Sequence, residues 1–195
     1  LNMWSKGLSK NKNLIPKLAK YILESGAYEM YGKIPIASFH NLINGIAPFT
    51  KLEEVNHLIE QYIDKVSTTN SDATVSLAKA QNLFYHNKYD MLSRYCYRTD
   101  FETFNQKNMA QCLHTICTFM NRKMEVDMYK KTLSLSINFI KRNKHSMSKH
   151  AYDSLTNLYK FMGEWAINKK DIDLDNIKPL RYRSWCEYII KTEGI

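Results

Sequence analysis

The sequence predicts an all-α protein, built as an α-solenoid of about four to six stacked helical hairpins. Three observations predict it. The stretch Asn105 to Met120 (NQKNMAQCLHTICTFM) returns 42 residues later as Met147 to Met162 (MSKHAYDSLTNLYKFM). Lys107 matches Lys149, Leu113 matches Leu155, Ile116 matches Leu158, and Phe119-Met120 matches Phe161-Met162. An apolar pattern recurring at such an offset marks a repeat whose copies bury their faces against one another. Apolar residues elsewhere recur with the helical period, and no segment longer than about four residues alternates with the strand period. Only six Gly and four Pro occur among 195 residues, so turns are few and helices long.

The elements follow in order as paired helices. Residues 14–25 carry Leu14, Leu18, Tyr21 and Ile22 on one face, and Gly26 sits where helices commonly end. Gly32 to Pro35 is a break. Residues 36–47 group Phe39, Ile43 and Ile46, and Pro48 stops them. Residues 51–66 carry Leu52, Val55, Leu58, Ile59, Tyr62 and Ile63 on one face. The polar loop 68–72 offers Ser71 or Asp72 as helix N-cap. Residues 73–86 and 88–97 form a third pair, split at His86-Asn87, and Asp100 is read as capping a short turn. Residues 105–121 and 126–143 form the fourth pair. The fifth opens with 147–163, ending at Gly163, with 164–169 as its extension. Residues 171–179 are a loop or short extended piece, and 180–192 a last helix. Leu18, Leu58, Leu92 and Leu133 then align at intervals of 40, 34 and 41. The expected organisation is a helical-repeat array over 1–170, then a loop and C-terminal docking helix over 171–195.

Composition narrows the function. With 28 Lys+Arg against 19 Asp+Glu the net charge is +9, which attracts polyanions such as RNA. The same balance is common in organellar proteins that bind no nucleic acid. No run of 18 apolar residues occurs, so no membrane-spanning segment is expected. The start is lysine-rich (Lys6, Lys10, Lys12, Lys17, Lys20) with no acid before Glu24, which suits the region beside a mitochondrial presequence. Cys96, Cys112, Cys117 and Cys186 form no C-x-x-C pair and read as buried thiols of a reducing compartment.

Residues 104–163 resemble the loosely conserved organellar helical repeats of octotricopeptide, heptatricopeptide and FASTK type. Each unit runs as an aromatic, a few polar residues, an apolar helix ending near Phe or Leu, a short turn and a second helix. The tetratricopeptide and pentatricopeptide patterns are absent. The resemblance implies RNA binding in mitochondria or plastids, or packing on mitochondrial ribosomal RNA. The expected function is therefore that of a non-catalytic RNA-binding protein of the mitochondrial matrix. Its most specific form is a lineage-specific ribosomal component contacting rRNA and neighbouring proteins. The alternative is an all-α scaffold or accessory subunit of a large mitochondrial complex, such as a respiratory complex or ATP synthase.

Candidate contacts cluster in two places. Residues 122–150 hold Arg122, Lys123, Lys130, Lys131, Lys141, Arg142, Lys144 and Lys149 against Glu125 and Asp127, with His145 and His150 beside them. Cations at helix ends and turns are the footprint of phosphate contacts, and equally of a solvated, soluble face. Residues 180–191 interleave Arg181, Arg183 and Lys191 with Tyr182, Trp185 and Tyr188. Arginine and aromatic planes stack unpaired bases. Because Trp185, Tyr188 and Ile189 recur three and four apart, they are read as the stripe of a partner-docking helix, packed on another subunit or on the end of the solenoid, with Arg181 and Arg183 reaching a rim of RNA phosphate or acidic side chains. Asp171, Asp173 and Asp175 start like a calcium loop, but its sixth position is Asn176 and its twelfth Tyr182, so the pattern fails. His114 between Cys112 and Cys117 would point its would-be metal partners apart: positions five apart lie about 140° around a helix. No phosphate loop, dinucleotide fingerprint, HExxH or nucleophile elbow occurs, so neither enzyme activity nor a cofactor, metal or small-molecule substrate is expected.

Overall fold

The computed structural model describes residues 14–96, 100–123, 125–168 and 172–193. The lysine-rich start up to Asn13, and Asp171 of the acidic loop, lie outside them. The described chain is mostly helical: α1 Leu14–Glu24, α2 Ile36–Ile46, α3 Leu52–Tyr62, α4 Ser71–Tyr85, α5 Tyr89–Cys96, α6 Phe104–Met120, α7 Val126–Arg142, α8 Lys149–Asn168 and α9 Arg183–Glu193. The only strands among the described residues are β1 Ile34–Pro35 and β2 Val66–Ser67, a parallel pair with Ile34 opposite Val66. Two compact units divide the chain, 1–114 and 115–195, with the division inside α6.

In the first unit, α1 packs on α2, and α4 packs on α2, α3 and α5. The core takes Ile15, Ala19 and Leu23 from α1, Phe39, Ile43 and Ile46 from α2, Val55, Ile59 and Tyr62 from α3, and Ala78 from α4. Helices α2 and α3 bury the faces their sequence pattern marks, but α1 does not: Ile15, Ala19 and Leu23 face the core, while Leu14 and Tyr21 of the expected face are 49% and 65% exposed. Helix α1 ends where Gly26 adopts φ +69°, a left-handed conformation that costs glycine no Cβ clash. A tight turn follows. Met30 N donates to Lys33 O at 2.7 Å and Lys33 N to Met30 O at 3.1 Å, with Tyr31 at φ 54° and Gly32 at φ 74° between them. Two positive φ values are the geometry of a two-residue hairpin turn. Tyr31 holds it at a cost of about 1 kcal/mol, yet its side chain is wholly in solvent.

Several boundaries differ from the sequence reading. The N-cap of α4 is Asn70, not Ser71 or Asp72: its side chain accepts from Ala73 N at 3.0 Å. Asp100 accepts from the Asn70 side chain at 2.9 Å, joining the loop before α6 to the start of α4. Helix α8 takes in the extension read over 164–169 and runs through Gly163 to Asn168 without a break, because Phe161, Met162 and Trp165 on either side are buried. Helix α9 starts at Arg183, behind Tyr182 at φ 54°.

Thr103 and Gln106 close a capping box at the start of α6. Gln106 N donates to Thr103 Oγ1 at 3.2 Å and Thr103 N to Gln106 Oε1 at 3.1 Å. The Gln106 amide then enters a buried network, donating to Thr74 Oγ1 at 3.2 Å and reaching His40 Nε2 at 3.4 Å. His40 Nδ1 lies 2.7 Å from Gln81 Oε1. An amide oxygen can only accept, so the proton sits on Nδ1, and Nε2 is left to accept from Gln106.

Burial lowers the His40 pKa from 6.5 to about 4, against a smaller raising effect of the Gln81 hydrogen bond. The unfolded chain therefore binds the proton more tightly than the folded one. Stability from neutral His40 is complete above pH 6.5 and lost as pH falls towards about 4, on the order of 3 kcal/mol in all. Urea unfolding at pH 7.5 and 4.5 should show this dependence, and His40→Gln should flatten it. An equal slope in both proteins would remove His40 as the cause.

In the second unit α7 packs on α8. The core is aromatic. Phe119 is edge-on to Tyr129 (centroids 5.7 Å apart) and to Trp185 (5.5 Å), while Phe161 stacks on Trp165 at 6.0 Å and meets Trp185 edge-on at 6.4 Å. The two matched segments share a burial pattern: Leu113 and Leu155, Ile116 and Leu158, Phe119 and Phe161 are all fully buried, and Lys107 and Lys149 are exposed.

Candidate nucleic-acid interface

Helix α7 sets the geometry of the basic segment. Tyr129, Thr132, Ser136 and Ile140 form its buried stripe. The polar members are satisfied there. Ser136 Oγ donates to Thr132 O at 2.8 Å and lies 2.7 Å from Thr115 Oγ1, and Tyr129 OH donates to Met162 O at 2.9 Å. Burial pushes the Tyr129 phenol pKa well up, so it remains a donor.

With that stripe inward, Lys130, Lys131, Lys141 and Arg142 are all exposed. Eleven residues are close to three helical turns, so Lys130 lines up with Lys141 and Lys131 with Arg142. The members of each pair are about 16 Å apart along the axis. None of these four cations has an acidic partner among the described residues. Lys141 and Arg142 also complement the negative end of the α7 dipole, and Asp127 the positive end.

The turn after α7 continues the charge. Asn143 caps the helix, its side-chain amide donating to Phe139 O at 2.8 Å. Ser148 Oγ accepts from Ala151 N at 3.2 Å and opens α8. From Lys141 to His150 the chain carries Lys141, Arg142, Lys144, His145, Lys149 and His150, all exposed, and no acid. Lys144 Nζ lies 5.0 Å from the Tyr152 ring centroid and Lys149 Nζ 2.7 Å from Asp153 Oδ2. Lys123, in the turn before α7, is exposed too.

The structure separates other predicted contacts from this surface. Arg122 is not a surface cation. It is 7% exposed, its guanidinium lies 3.9 Å from the Phe119 ring centroid, and Nη1 donates to Phe119 O at 2.7 Å. Nη2 pairs with Glu193 at the end of α9. Removing one partner of a buried pair strands the other, so Arg122→Met is expected to destabilise the second unit by about 3 kcal/mol. RNA affinity per folded molecule should be untouched, and a normal urea midpoint would show that the pair contributes nothing.

Arg183 is also engaged, with Nε to Glu187 at 2.9 Å, Nη1 to Leu174 O at 2.8 Å and Nη2 to Asp175 at 2.7 Å. Arg181 is half-buried, with its guanidinium 5.2 Å from the Tyr182 ring centroid. The docking stripe splits. Trp185 and Ile189 are buried inside the second unit, while Tyr188, about a quarter-turn from Ile189, is 44% exposed. Trp185 and Ile189 are therefore core residues rather than a surface open to another molecule.

No helix among the described residues is long and apolar enough to cross a membrane. No group of three His, Cys, Asp or Glu among them is placed to hold a metal ion. All four cysteines are buried thiols. No family model, curated protein or solved structure matches the chain.

Proposed function

We propose that the protein is a non-catalytic helical-repeat RNA-binding protein that grips phosphates with the outer edge of α7 and the turn into α8. The observation that carries this reading is the segment from Lys141 to His150, six exposed basic or imidazole side chains with no acid among them. It extends the two cation rows of α7, so the positive field covers one continuous stretch of chain. The reading takes Lys123, Lys130, Lys131, Lys141, Arg142, Lys144 and Lys149 as phosphate contacts and leaves out Arg122, whose charge is buried on Glu193. The shared burial pattern of 105–120 and 147–162 supports a solenoid built from such repeats. The basic composition and the lysine-rich start support a place in the mitochondrial matrix, within the ribosome or another ribonucleoprotein.

A specific observation favours a second reading, that of a scaffold subunit in a protein assembly. Met128 and Leu135 of α7 are 42% and 56% exposed and lie on one face of the helix. Crosslinking in cells, followed by sequencing of bound RNA, separates the two. RNA recovered with the wild type, and lost when Lys130, Lys131, Lys141 and Arg142 become Glu, supports the phosphate edge. Protein crosslinks through Met128 and Leu135 without RNA support the scaffold.

A further inference from the structure

In the first unit, α1 and α2 leave a cavity of about 250 Å³ where small residues, Ala19 and Gly45, stand on the two helices. Ile15, Leu42 and Tyr28 line it, together with Asn41. Its wall is apolar apart from one aromatic ring and one side-chain amide. Asn41 is exposed and its amide makes no hydrogen bond among the described residues, so at the open mouth of the cavity, beside the 37% exposed Tyr28, it offers a donor next to an acceptor. An ideal Cβ built on Gly45 meets no atom within 4 Å, although glycine inside a helix is destabilising relative to alanine. Space is therefore kept here at the expense of helix stability. Three residues after Tyr28, the strained turn holds Tyr31 fully in solvent, a placement that contributes no burial to folding.

An apolar slot with one ring to stack on and one amide to read an edge has the chemistry of a heteroaromatic base. Asparagine pairs bidentately with adjacent donor and acceptor atoms of adenine, and aromatic side chains stack on unpaired bases of RNA. We propose that this cavity holds one unpaired nucleobase, stacked on Tyr28 and hydrogen-bonded to Asn41. The proposal rests on the RNA-binding reading and adds to it a base contact separate from the phosphate edge.

Two measurements test it. Millimolar adenosine, titrated into the full chain with ribose as control, is followed by amide NMR shifts of residues 28 and 41–46 and of the Asn41 side chain. Saturable shifts with adenosine and none with ribose are expected. Tyr28→Ala, and Gly45→Leu, which fills the slot, should each abolish them. A Cβ at Gly45 meets nothing within 4 Å, so a side chain can leave the backbone there, and Gly45→Ala serves as a folded control. In the second measurement, a single-stranded RNA oligomer should bind about tenfold more tightly than an abasic oligomer of equal length. Both variants should bring that ratio towards one.

No shift with adenosine in the wild type, or a ratio unchanged in both variants, overturns the proposal. Charge reversal on α7 that weakens both oligomers equally and leaves the ratio intact supports it as an independent contact. Adenosine shifts without oligomer binding would sink the RNA reading while leaving the base site standing.

Discussion

Phe119→Ala is expected to destabilise the second unit by about 3–5 kcal/mol, the usual cost of deleting a buried phenyl ring. The ring has no exposed surface. It is the shared neighbour of Tyr129 and Trp185, and the Arg122 guanidinium lies over its ring, 3.9 Å from the centroid. Truncation therefore removes two edge-on aromatic contacts and opens a cavity between helices joined by rigid rings. It also withdraws the apolar surface that holds Arg122 in place for Glu193. Urea unfolding at neutral pH measures the effect. The comparison is Leu135→Ala on α7, where 56% exposure predicts a change within about 0.5 kcal/mol. Similar midpoints for the two variants would mean that Phe119 is not the centre of this core.

Reversing Lys130, Lys131, Lys141 and Arg142 to Glu is expected to abolish RNA binding without loss of helicity. Each phosphate contact with a single strand contributes about 0.7 to the slope of log affinity against log salt, so four contribute about 2.8. Raising salt fourfold should then weaken the wild type by about 50-fold through these four residues alone. All four side chains are exposed and without acidic partners among the described residues, so reversal breaks no ion pair and costs only the dipole interaction of Lys141 and Arg142 at the end of α7. Fluorescence anisotropy with a labelled single-stranded oligomer across a salt series reads both affinity and slope. Circular dichroism checks the fold. Equal affinity and slope in variant and wild type would remove the basis for a phosphate edge on α7.

The sequence pattern located the helices because their apolar faces are continuous and their breaks carry Gly, Pro or Asn. Gly26 and Asn87 adopt positive φ where breaks were expected. The helix continues past Gly163 into the extension read over 164–169, because Trp165 beyond the glycine is buried. The Thr103–Gln106 capping box is written in the sequence as T-x-x-Q, a local signature that needs no distant partner. The exposed cations of α7 were legible, since local charge density survives folding. The fates of Arg122 and Trp185 were not. Glu193 lies 71 residues from Arg122, and the rings that cover Trp185 come from α6 and α8. No local window contains such partners. The network around His40 was hidden for the same reason: Gln81 and Gln106 are 41 and 66 residues away.

The pairing of Arg122 with Glu193 also bears on the order in which the chain is made. A cation held in the second unit's core needs its counter-ion, and that carboxylate comes from the final turn of α9. During synthesis, α6, α7 and α8 emerge before it and can collapse on their apolar faces. The ring of Trp185, which both Phe119 and Phe161 contact, also arrives only with α9. The nascent second unit thus waits with a wet aromatic face and an uncompensated arginine until its last residues appear. The aromatic core around Phe119 and Phe161 and the ion pair of Arg122 are therefore incomplete until α9 docks.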